Sequence, residues 1–217
     1  MEKCAFKEVC TKSPCDGESC IRFLEYHKLL ELSKIPKAYI PYKELQAPAS
    51  DWDAYDQLRD IQDDILNFVK SGKSIYLWSK QCGNAKTTWV IKLMKAYFGK
   101  IWAGNAFRLR GYFIHVPTFL QRLKDNISEK NDILEVKEAI RSADLVVWDD
   151  LAVKAVSEFE LEVLLSLLDE RISNAKSNFV TGNSSRQVME SMLGKRITSR
   201  IFDSTVIEFK GKDMRGK

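Results

Sequence analysis

Short apolar runs alternate with longer segments of helical periodicity along most of the chain. A short apolar run bounded by polar or turn residues is typical of a buried parallel strand, and an intervening helix returns the chain to the same end of the sheet. The sequence predicts five such strands, within residues 75–78, 111–116, 145–148, 178–182 and 205–209. The predicted fold class is therefore α/β, with a five-stranded parallel sheet.

Amphipathic helices are predicted before and between these strands. Residues 157–174 should form a long helix, because Ser157 and Glu160 have the spacing of a capping box and apolar residues follow at helical intervals. Its apolar side, including Phe159, is expected to face the core. Further helices are predicted within residues 21–32, 58–71, 118–124, 126–142 and 186–193, the last of which ends at Gly194.

The turn after the first predicted strand has the composition of a phosphate-binding loop. Helix N-terminal amides and a flexible turn can wrap a polyphosphate, while one lysine neutralises charge and one hydroxyl holds Mg²⁺. In the pattern GxxxxGK(S/T), Lys80 and Ala85 stand where the two glycines are expected. From this window alone, an ordinary strand, loop and helix with an exposed lysine is the alternative. The predicted nucleotide-binding residues are Gly83, Asn84, Ala85, Lys86, Thr87 and Thr88.

A second motif, LVVWDD, ends the third predicted strand. A buried parallel strand that ends in acids places them at the carboxyl edge of the sheet, beside the phosphate-binding loop. Asp149 is predicted to hold Mg²⁺, directly or through water, and Asp150 to orient and deprotonate the attacking water. Together the two motifs predict a P-loop NTPase that binds ATP and Mg²⁺. His115 is expected to be structural, and Asn183 to contact the γ-phosphate or to serve as a turn residue.

Composition and charge limit the choice of partners and compartment. A formal net charge of +4 over 217 residues permits contact with nucleic acid but is far from a basic stripe. No run of eighteen apolar residues occurs, and the N-terminus is polar where a signal peptide would be apolar. These observations predict a soluble, cytoplasmic protein with no membrane partner.

Four of the five cysteines lie close together near the N-terminus. In a reducing compartment such a cluster indicates a metal site, because four thiolates satisfy tetrahedral Zn²⁺. The predicted zinc ligands are Cys4, Cys10, Cys15 and Cys20. An iron–sulfur cluster, unligated cysteines, and a site in which His27 replaces one cysteine are the alternatives. The predicted domains are a cysteine-rich zinc-binding module at residues 1–34 and a nucleotide-binding domain at residues 35–217.

From about Ile35 to Arg215, the chain resembles the AAA+ domain of DnaC/DnaI-type replicative helicase loaders, including loaders encoded by phages. The phosphate-binding loop, LVVWDD, TGN, LGKRITSRI and GKDMR carry the resemblance, in this order. It implies that Asn183 is sensor 1, that Arg200 is an arginine finger offered to a neighbouring subunit, and that Arg215 is a sensor-2-like contact. Arg196 is implied as a helper. The cysteine module resembles the helicase-docking, zinc-bearing N-terminal domain of the DnaI branch, but it is shorter and its ligand spacing does not match.

The resemblance implies an ATP-dependent loader. Such a protein would assemble into an AAA+ oligomer, grip a hexameric replicative helicase of the DnaB type through residues 1–34, and help to place it on single-stranded DNA. Lys80 and Ala85 in the loop, and aspartate rather than glutamate at Asp150, imply slow hydrolysis. Two alternatives stay open: a nucleotide-binding adaptor or inhibitor of a replicative helicase with little ATPase activity, and a transposition ATPase of the IstB type, which would not need a helicase-docking module.

Overall fold

The computed structural model describes residues 20–41, 44–101, 108–125, 130–151, 156–211 and 213. The predicted zinc ligands Cys4, Cys10 and Cys15 and the predicted sensor Arg215 lie outside these residues. Within the described part of the chain, no helix combines the length and the apolar character that a membrane span requires.

Helices and strands alternate along the described chain, beginning with three helices. Before and around the phosphate-binding loop, the elements are α1 (Ile21–Leu32), α2 (Trp52–Asp63), α3 (Ile65–Lys70), β1 (Ile75–Trp78) and α4 (Lys86–Lys100). The remaining elements are β2 (Gly111–His115), α5 (Val116–Asp125), α6 (Lys130–Ser142), β3 (Leu145–Leu151), α7 (Glu158–Ser173), β4 (Ser177–Gly182), α8 (Arg186–Phe202) and β5 (Thr205–Glu208).

The five strands form one parallel sheet in the order β2-β3-β4-β1-β5. This confirms the predicted five-stranded parallel α/β fold. β1 lies between β4 and β5, and β3 lies between β2 and β4. Because the carboxyl ends of parallel strands meet at one edge, the turns after β1, β3 and β4 lie near one another there.

Alternate side chains of the strands enter two hydrophobic clusters, one on each face of the sheet. In β3, Leu145 and Val147 belong to the cluster formed with α1 to α4. Val146 and Trp148 belong to the cluster formed with α5 to α8. Both faces of the sheet are therefore buried, which explains why this strand is a continuous apolar run rather than an alternating one.

Two predicted helix boundaries are confirmed. The Ser157 backbone N–H donates to Glu160 Oε2 at 2.7 Å, and Ser157 Oγ accepts from the Glu160 N–H at 3.4 Å, which completes the capping box. Gly194 interrupts α8 with φ 75° and ψ 164°, so two helical segments meet there at a kink. The expectation for Phe159 is wrong, because this side chain is 55% exposed. The buried stripe of α7 passes through Glu160 and Leu164, and Phe159 lies about 100° around the helix from Glu160.

Helix α1 packs against the α/β core. Leu29 and Leu30 are buried in the same cluster as α4. At the end of α1, the Ser33 carbonyl accepts a hydrogen bond from the Phe113 backbone N–H at 2.7 Å. The boundary proposed after residue 34 stays a prediction, and the described end of the N-terminal segment lies on the core.

A buried arginine forms hydrogen bonds with several elements at the amino edge of the sheet. Arg171, on α7, is 1% exposed, and burial lowers its pKa to about 9. Its guanidinium donates to the carbonyls of Ile140 and Ala143 before β3, and to the Ser177 carbonyl and Asn178 Oδ1 in β4. These bonds join α6, α7 and the beginnings of two strands.

Candidate nucleotide-binding site

The turn between β1 and α4 wraps around the side chain of Lys86. The Lys86 ammonium group donates to Asn84 Oδ1 at 2.8 Å and to the Gln81 carbonyl at 3.2 Å, and the residue is only 6% exposed. Lys86 also begins α4, so the free N–H groups of the helix start lie beside it. Asn84 Nδ2 is buried and has no hydrogen-bond partner among the described residues. An unpaired donor beside an ammonium fits an anionic acceptor such as a phosphate oxygen.

Asp149, at the end of β3, connects this loop to the sheet. Its Oδ1 accepts hydrogen bonds from Thr87 Oγ1 and from Thr181 Oγ1, both at 2.8 Å. The carboxyl group is 5% exposed; burial raises its pKa, while the bonds from Thr181 and Thr87 act in the opposite direction. The structure thus joins the hydroxyl and the carboxylate that were predicted to hold Mg²⁺. Thr88 follows in the first turn of α4 and is partly buried.

Asp150 lies at a local irregularity in the sheet. The register between β3 and β4 shifts between Trp148 and Leu151, and Asp150 has φ 57°. Its backbone N–H donates to Thr181 Oγ1 at 3.0 Å, and its side chain is 40% exposed. Bulges and left-handed residues of this kind re-aim side chains beside functional sites. In a regular strand these two consecutive side chains would point to opposite faces of the sheet, whereas here a carboxylate oxygen of each lies within 4.8 Å of the other, with Asp149 buried and Asp150 half-exposed.

His115 lies beside the two acids, a position that the sequence reasoning did not predict. It ends β2, pairs in register with Asp149, and its Nε2 lies 3.6 Å from Asp150 Oδ2. Its Nδ1 lies 2.7 Å from Thr118 Oγ1 in the first turn of α5. The expectation of a purely structural histidine overlooked its position as the last residue of a strand, which puts it at the same edge as the two acids.

Asn183 follows β4 and lies beside the phosphate-binding loop. Its Nδ2 donates to Cys82 Sγ at 3.7 Å. Its Oδ1 is buried and has no hydrogen-bond partner in the described part of the chain. This position agrees with a contact to bound nucleotide or to water, and the sensor role itself stays a prediction.

The C-terminal segment returns to the same loop. Asp51 is 1% exposed, and its Oδ1 accepts from the backbone N–H groups of Lys210 and Gly211 at 2.7 and 2.9 Å. Two residues farther on, the Asp213 carboxylate reaches the loop so closely that a Cβ at Gly83 would lie 1.7 Å from Asp213 Oδ1. Gly83 is favoured by its φ of 77°, whereas the Asp213 carboxylate is the end of an exposed, flexible side chain that could shift to make room for a Cβ.

Arg200 lies at the edge of the sheet opposite the phosphate-binding loop. It lines a small cavity with Ser74, Asn178 and Ser204, which lie at or just before the beginnings of β1, β4 and β5. The Arg200 Nε atom donates to Asp169 Oδ1 at 2.7 Å, and Arg196 Nη2 donates to Asp169 Oδ2 at 3.2 Å. Arg200 cannot serve the loop of its own chain from this edge. Within the described residues its contact is the ion pair with Asp169, and the role toward a neighbouring protomer stays a prediction.

Cys20 is the one predicted zinc ligand within the described residues. It is a partly buried free thiol just before α1. With its three proposed co-ligands outside the described residues, zinc binding stays a prediction. Within the described part of the chain, the His, Cys, Asp and Glu residues with three converging ligand atoms are His115, Asp149 and Asp150.

The order of the parallel strands, the loop around Lys86 and the acids at the end of β3 resemble those of AAA+ P-loop NTPases. Among solved structures, the DnaC helicase loader matches with a TM-score of 0.68 and 23% identity, over 81% of this chain and 100% of that chain. DnaI matches with a TM-score of 0.63 and 18% identity, over 82% of this chain and 93% of that chain. The replication initiator DnaA bound to AMPPCP and single-stranded DNA matches with a TM-score of 0.63 and 15% identity, over 77% of this chain and 49% of that chain.

These similarities establish the fold. The resemblance to DnaC and DnaI seen in the sequence motifs is confirmed at the level of structure. No protein-family model matches the sequence, and no curated protein matches it.

Replacing Ala85 with glycine should stabilise the protein. Ala85 has φ 65°, a conformation that costs an L-residue with a Cβ about 1–2 kcal/mol. Glycine removes this cost, but part of the gain is offset because glycine has greater freedom in the unfolded chain. We expect Ala85→Gly to raise the free energy of unfolding by up to about 1 kcal/mol in urea denaturation. It should also tighten nucleotide binding, because a Cβ beside Lys86 crowds the phosphates.

Ala175→Gly is the matched control. Ala175 has φ 49° and lies in the exposed turn after α7. It should give a similar gain in stability and no change in nucleotide affinity. Equal effects of the two variants on nucleotide affinity would show that Ala85 does not limit binding.

Replacing Asp149 with asparagine should stabilise the protein near neutral pH. Burial raises the pKa of Asp149 above its ordinary value of 3.8, so the folded state holds this proton more tightly than the unfolded state. The free energy of unfolding therefore falls as pH rises from the unfolded pKa through the folded pKa. Asparagine, which cannot ionise and can still accept from both threonines, removes this cost.

Urea denaturation in chelator at pH 7 and at a pH below 3.8 measures the effect. Asp149→Asn should be more stable than the parent at pH 7, and the difference should disappear at the lower pH. Asp150→Asn is the comparison: this half-exposed side chain is solvated in both states, so the variant should give a smaller gain, which comes only from removing a charge that raises the pKa of Asp149. If Asp149→Asn were less stable than the parent at pH 7, the inference that ionised Asp149 destabilises the folded state would be wrong.

Proposed function

We propose that this protein is an ATP-dependent loader of a hexameric replicative helicase, which places the helicase on single-stranded DNA during DNA replication. The observation that carries the ATPase part is the 2.8 Å hydrogen bond from Thr87 to Asp149 beside the buried Lys86. It brings together an ammonium, a hydroxyl and a carboxylate from two separate motifs. Similarity of fold over the full length of a DnaC helicase loader supports the second part.

Each residue of the site has its own role in the proposed phosphoryl transfer. Lys86 and the N–H groups at the start of α4 would hold the phosphates, and Thr87 and Asp149 would hold Mg²⁺. When bound, Mg²⁺ neutralises charge on the transferred phosphoryl group. Asp150, exposed at the end of β3, would accept the proton of the attacking water. Asn183, beside the loop, would orient that water or the γ-phosphate.

The partners in this proposal come from the structural neighbours and the N-terminal sequence. The structure of DnaA contains AMPPCP and single-stranded DNA, and the DnaC chain is a helicase loader. By analogy, we infer that an ATP-bound oligomer of this chain contacts single-stranded DNA in the cytoplasm. A docking role for residues 1–34, with zinc held by Cys4, Cys10, Cys15 and Cys20, is part of the same proposal.

A helicase adaptor or inhibitor with little ATPase activity is the second candidate. The observation that favours it is the left-handed Ala85, at a loop position where a side chain is strained. Such a protein would bind both nucleotide and helicase but would reduce loading. A transposition ATPase would bind no helicase.

The loading proposal can be tested by measuring how much DnaB-type helicase is bound to a single-stranded DNA circle. The parent protein with ATP should increase occupancy, and Lys86→Ala should abolish the increase, because the variant loses its phosphate contacts. Removing a hydrogen-bonded charge costs about 1.5–3 kcal/mol, or roughly a tenfold to hundredfold loss of ATP affinity by calorimetry.

Lys80→Ala is the control for this experiment. Lys80 belongs to the same loop but is exposed, so its loss should leave ATP binding and loading nearly unchanged. Reduced occupancy with the parent would favour the adaptor, and no helicase binding would favour the transposition ATPase. Tight ATP binding by Lys86→Ala would show that the loop assignment is wrong.

Arg200 is proposed to act on the nucleotide of a neighbouring protomer. Its position at the amino edge of the sheet excludes it from its own site, and stabilising the charge of transfer in trans needs an exposed guanidinium. Arg200→Ala and Lys86→Ala should each lack ATPase activity, and a mixture should regain part of it. Arg59→Ala, which alters an exposed ion pair on α2, should remain active by itself. A failure of the mixture to regain activity, with assembly confirmed by light scattering, would contradict the trans role.

A further inference from the structure

The carboxyl ends of β2 and β3 bring one imidazole and two carboxylates together. His115, Asp149 and Asp150 each offer a ligand atom, and these atoms lie within 4.8 Å of one another. Two ligands that bind one ion with bonds of about 2.1 Å lie about 3 to 4 Å apart. The separation of 3.6 Å between His115 Nε2 and Asp150 Oδ2 is within that range and is longer than a direct hydrogen bond.

The orientation of His115 is also that of a metal ligand. Its Nδ1 lies 2.7 Å from Thr118 Oγ1, so this nitrogen can carry the proton and donate it to the hydroxyl. Nε2 then keeps its lone pair and faces the carboxylates. Histidines that bind metals are held in this way, with the second ring nitrogen donating to an oxygen atom nearby.

The charges of the cluster favour a cation. Asp149 is almost fully buried, and the Asp150 carboxylate is its neighbour in the same cluster. Two adjacent carboxylates, one of them desolvated, gain from a divalent ion that neutralises both. Asp149 uses Oδ1 for the two threonine hydroxyls, and the other oxygen can serve a metal without breaking those bonds.

The imidazole changes which ion this set of donors prefers. Mg²⁺ takes oxygen ligands and keeps several waters, whereas imidazole suits later divalent metals better. We propose that His115, Asp149 and Asp150 form a site for a divalent transition metal ion in the chain without nucleotide, with Thr118 as the residue that orients the histidine. Later ions of the series bind imidazole more strongly than Mn²⁺ does, and Mn²⁺ is the paramagnetic probe for the site. The inference rests on the proposed function only for the use of this ion in ATP hydrolysis, in which Asp150 would leave the metal to act as the base.

Binding of Mn²⁺ alone to the full chain, without nucleotide, tests the inference. Electron paramagnetic resonance should show one tightly bound Mn²⁺ per chain that an equal concentration of Mg²⁺ does not displace, and the bound ion should show coupling to a ¹⁴N nucleus. His115→Ala should remove the nitrogen coupling and weaken Mn²⁺ binding at least about tenfold. Thr118→Val should weaken binding by about tenfold to a hundredfold, as is usual for such orienting partners.

His27→Ala is the matched control. His27 is the other of the two histidines in the chain, and it stacks on Phe23 in α1 with ring centroids 4.1 Å apart. Its replacement should change neither the affinity nor the nitrogen coupling. Circular dichroism melting checks that each variant is folded. If His115→Ala is not folded, His115→Gln, which keeps a polar side chain of similar length, takes its place.

Two results would overturn the inference: bound Mn²⁺ with no nitrogen coupling, or displacement by Mg²⁺ at equal concentration. The outcome is independent of the nucleotide proposal, because Lys86→Ala should keep the Mn²⁺ site. If the parent binds Mn²⁺ through His115 but binds no ATP, the metal site stands and the proposed function fails. If the parent binds ATP but its bound Mn²⁺ lacks nitrogen coupling, the proposed function stands and the metal site fails.

Discussion

The burial of one carboxylate, Asp149, is the constraint on which the nucleotide site depends. A single oxygen of this group accepts hydrogen bonds from Thr87 in α4 and from Thr181 in β4, so one acceptor fixes the loop, the strand that bears the acids and the strand beside it. The Thr181 hydroxyl in turn accepts from the backbone of Asp150, which holds the next residue at its unusual φ of 57°. Because these bonds share one buried group, a change in any of them is transmitted to the others.

The two edges of the sheet differ in the neighbours of their buried charges. At the amino edge, burial lowers the pKa of Arg171, and its guanidinium donates to four carbonyl and amide oxygens within the chain. At the carboxyl edge, burial raises the pKa of Asp149, and its charged neighbour is a second carboxylate, Asp150. The donors of Arg171 are therefore used within the chain, whereas two adjacent carboxylates favour a ligand of opposite charge.

The features that could be predicted from sequence are those set by neighbours along the chain. The five strands, the capping box at Ser157 and the kink at Gly194 follow from local patterns, and the parallel sheet then brings Lys86 and Asp149 to one edge. His115 could not be assigned in this way, because its contact with Asp150 depends on β2 being the neighbour of β3. The same holds for the hydrogen bonds of Asp51 to the C-terminal segment, which join residues 160 positions apart. Phe159 shows where helical periodicity fails as a guide. The buried side of α7 includes Glu160 rather than Phe159, so this large apolar side chain is exposed.

The arrangement of arginines bears on assembly more directly than on the fold. Arg196 and Arg200 share one carboxylate, Asp169, so two cations face a single acid on an exposed surface. An exposed ion pair of this kind contributes little to stability, because solvent screens it. The pair orients both guanidinium groups, and Asp203 is a second acid close enough to act on Arg200. This surface lies at the edge away from the loop of the same chain. A head-to-tail contact between protomers would therefore bring the Arg200 edge of one to the loop edge of the next, and a two-fold symmetric contact would not.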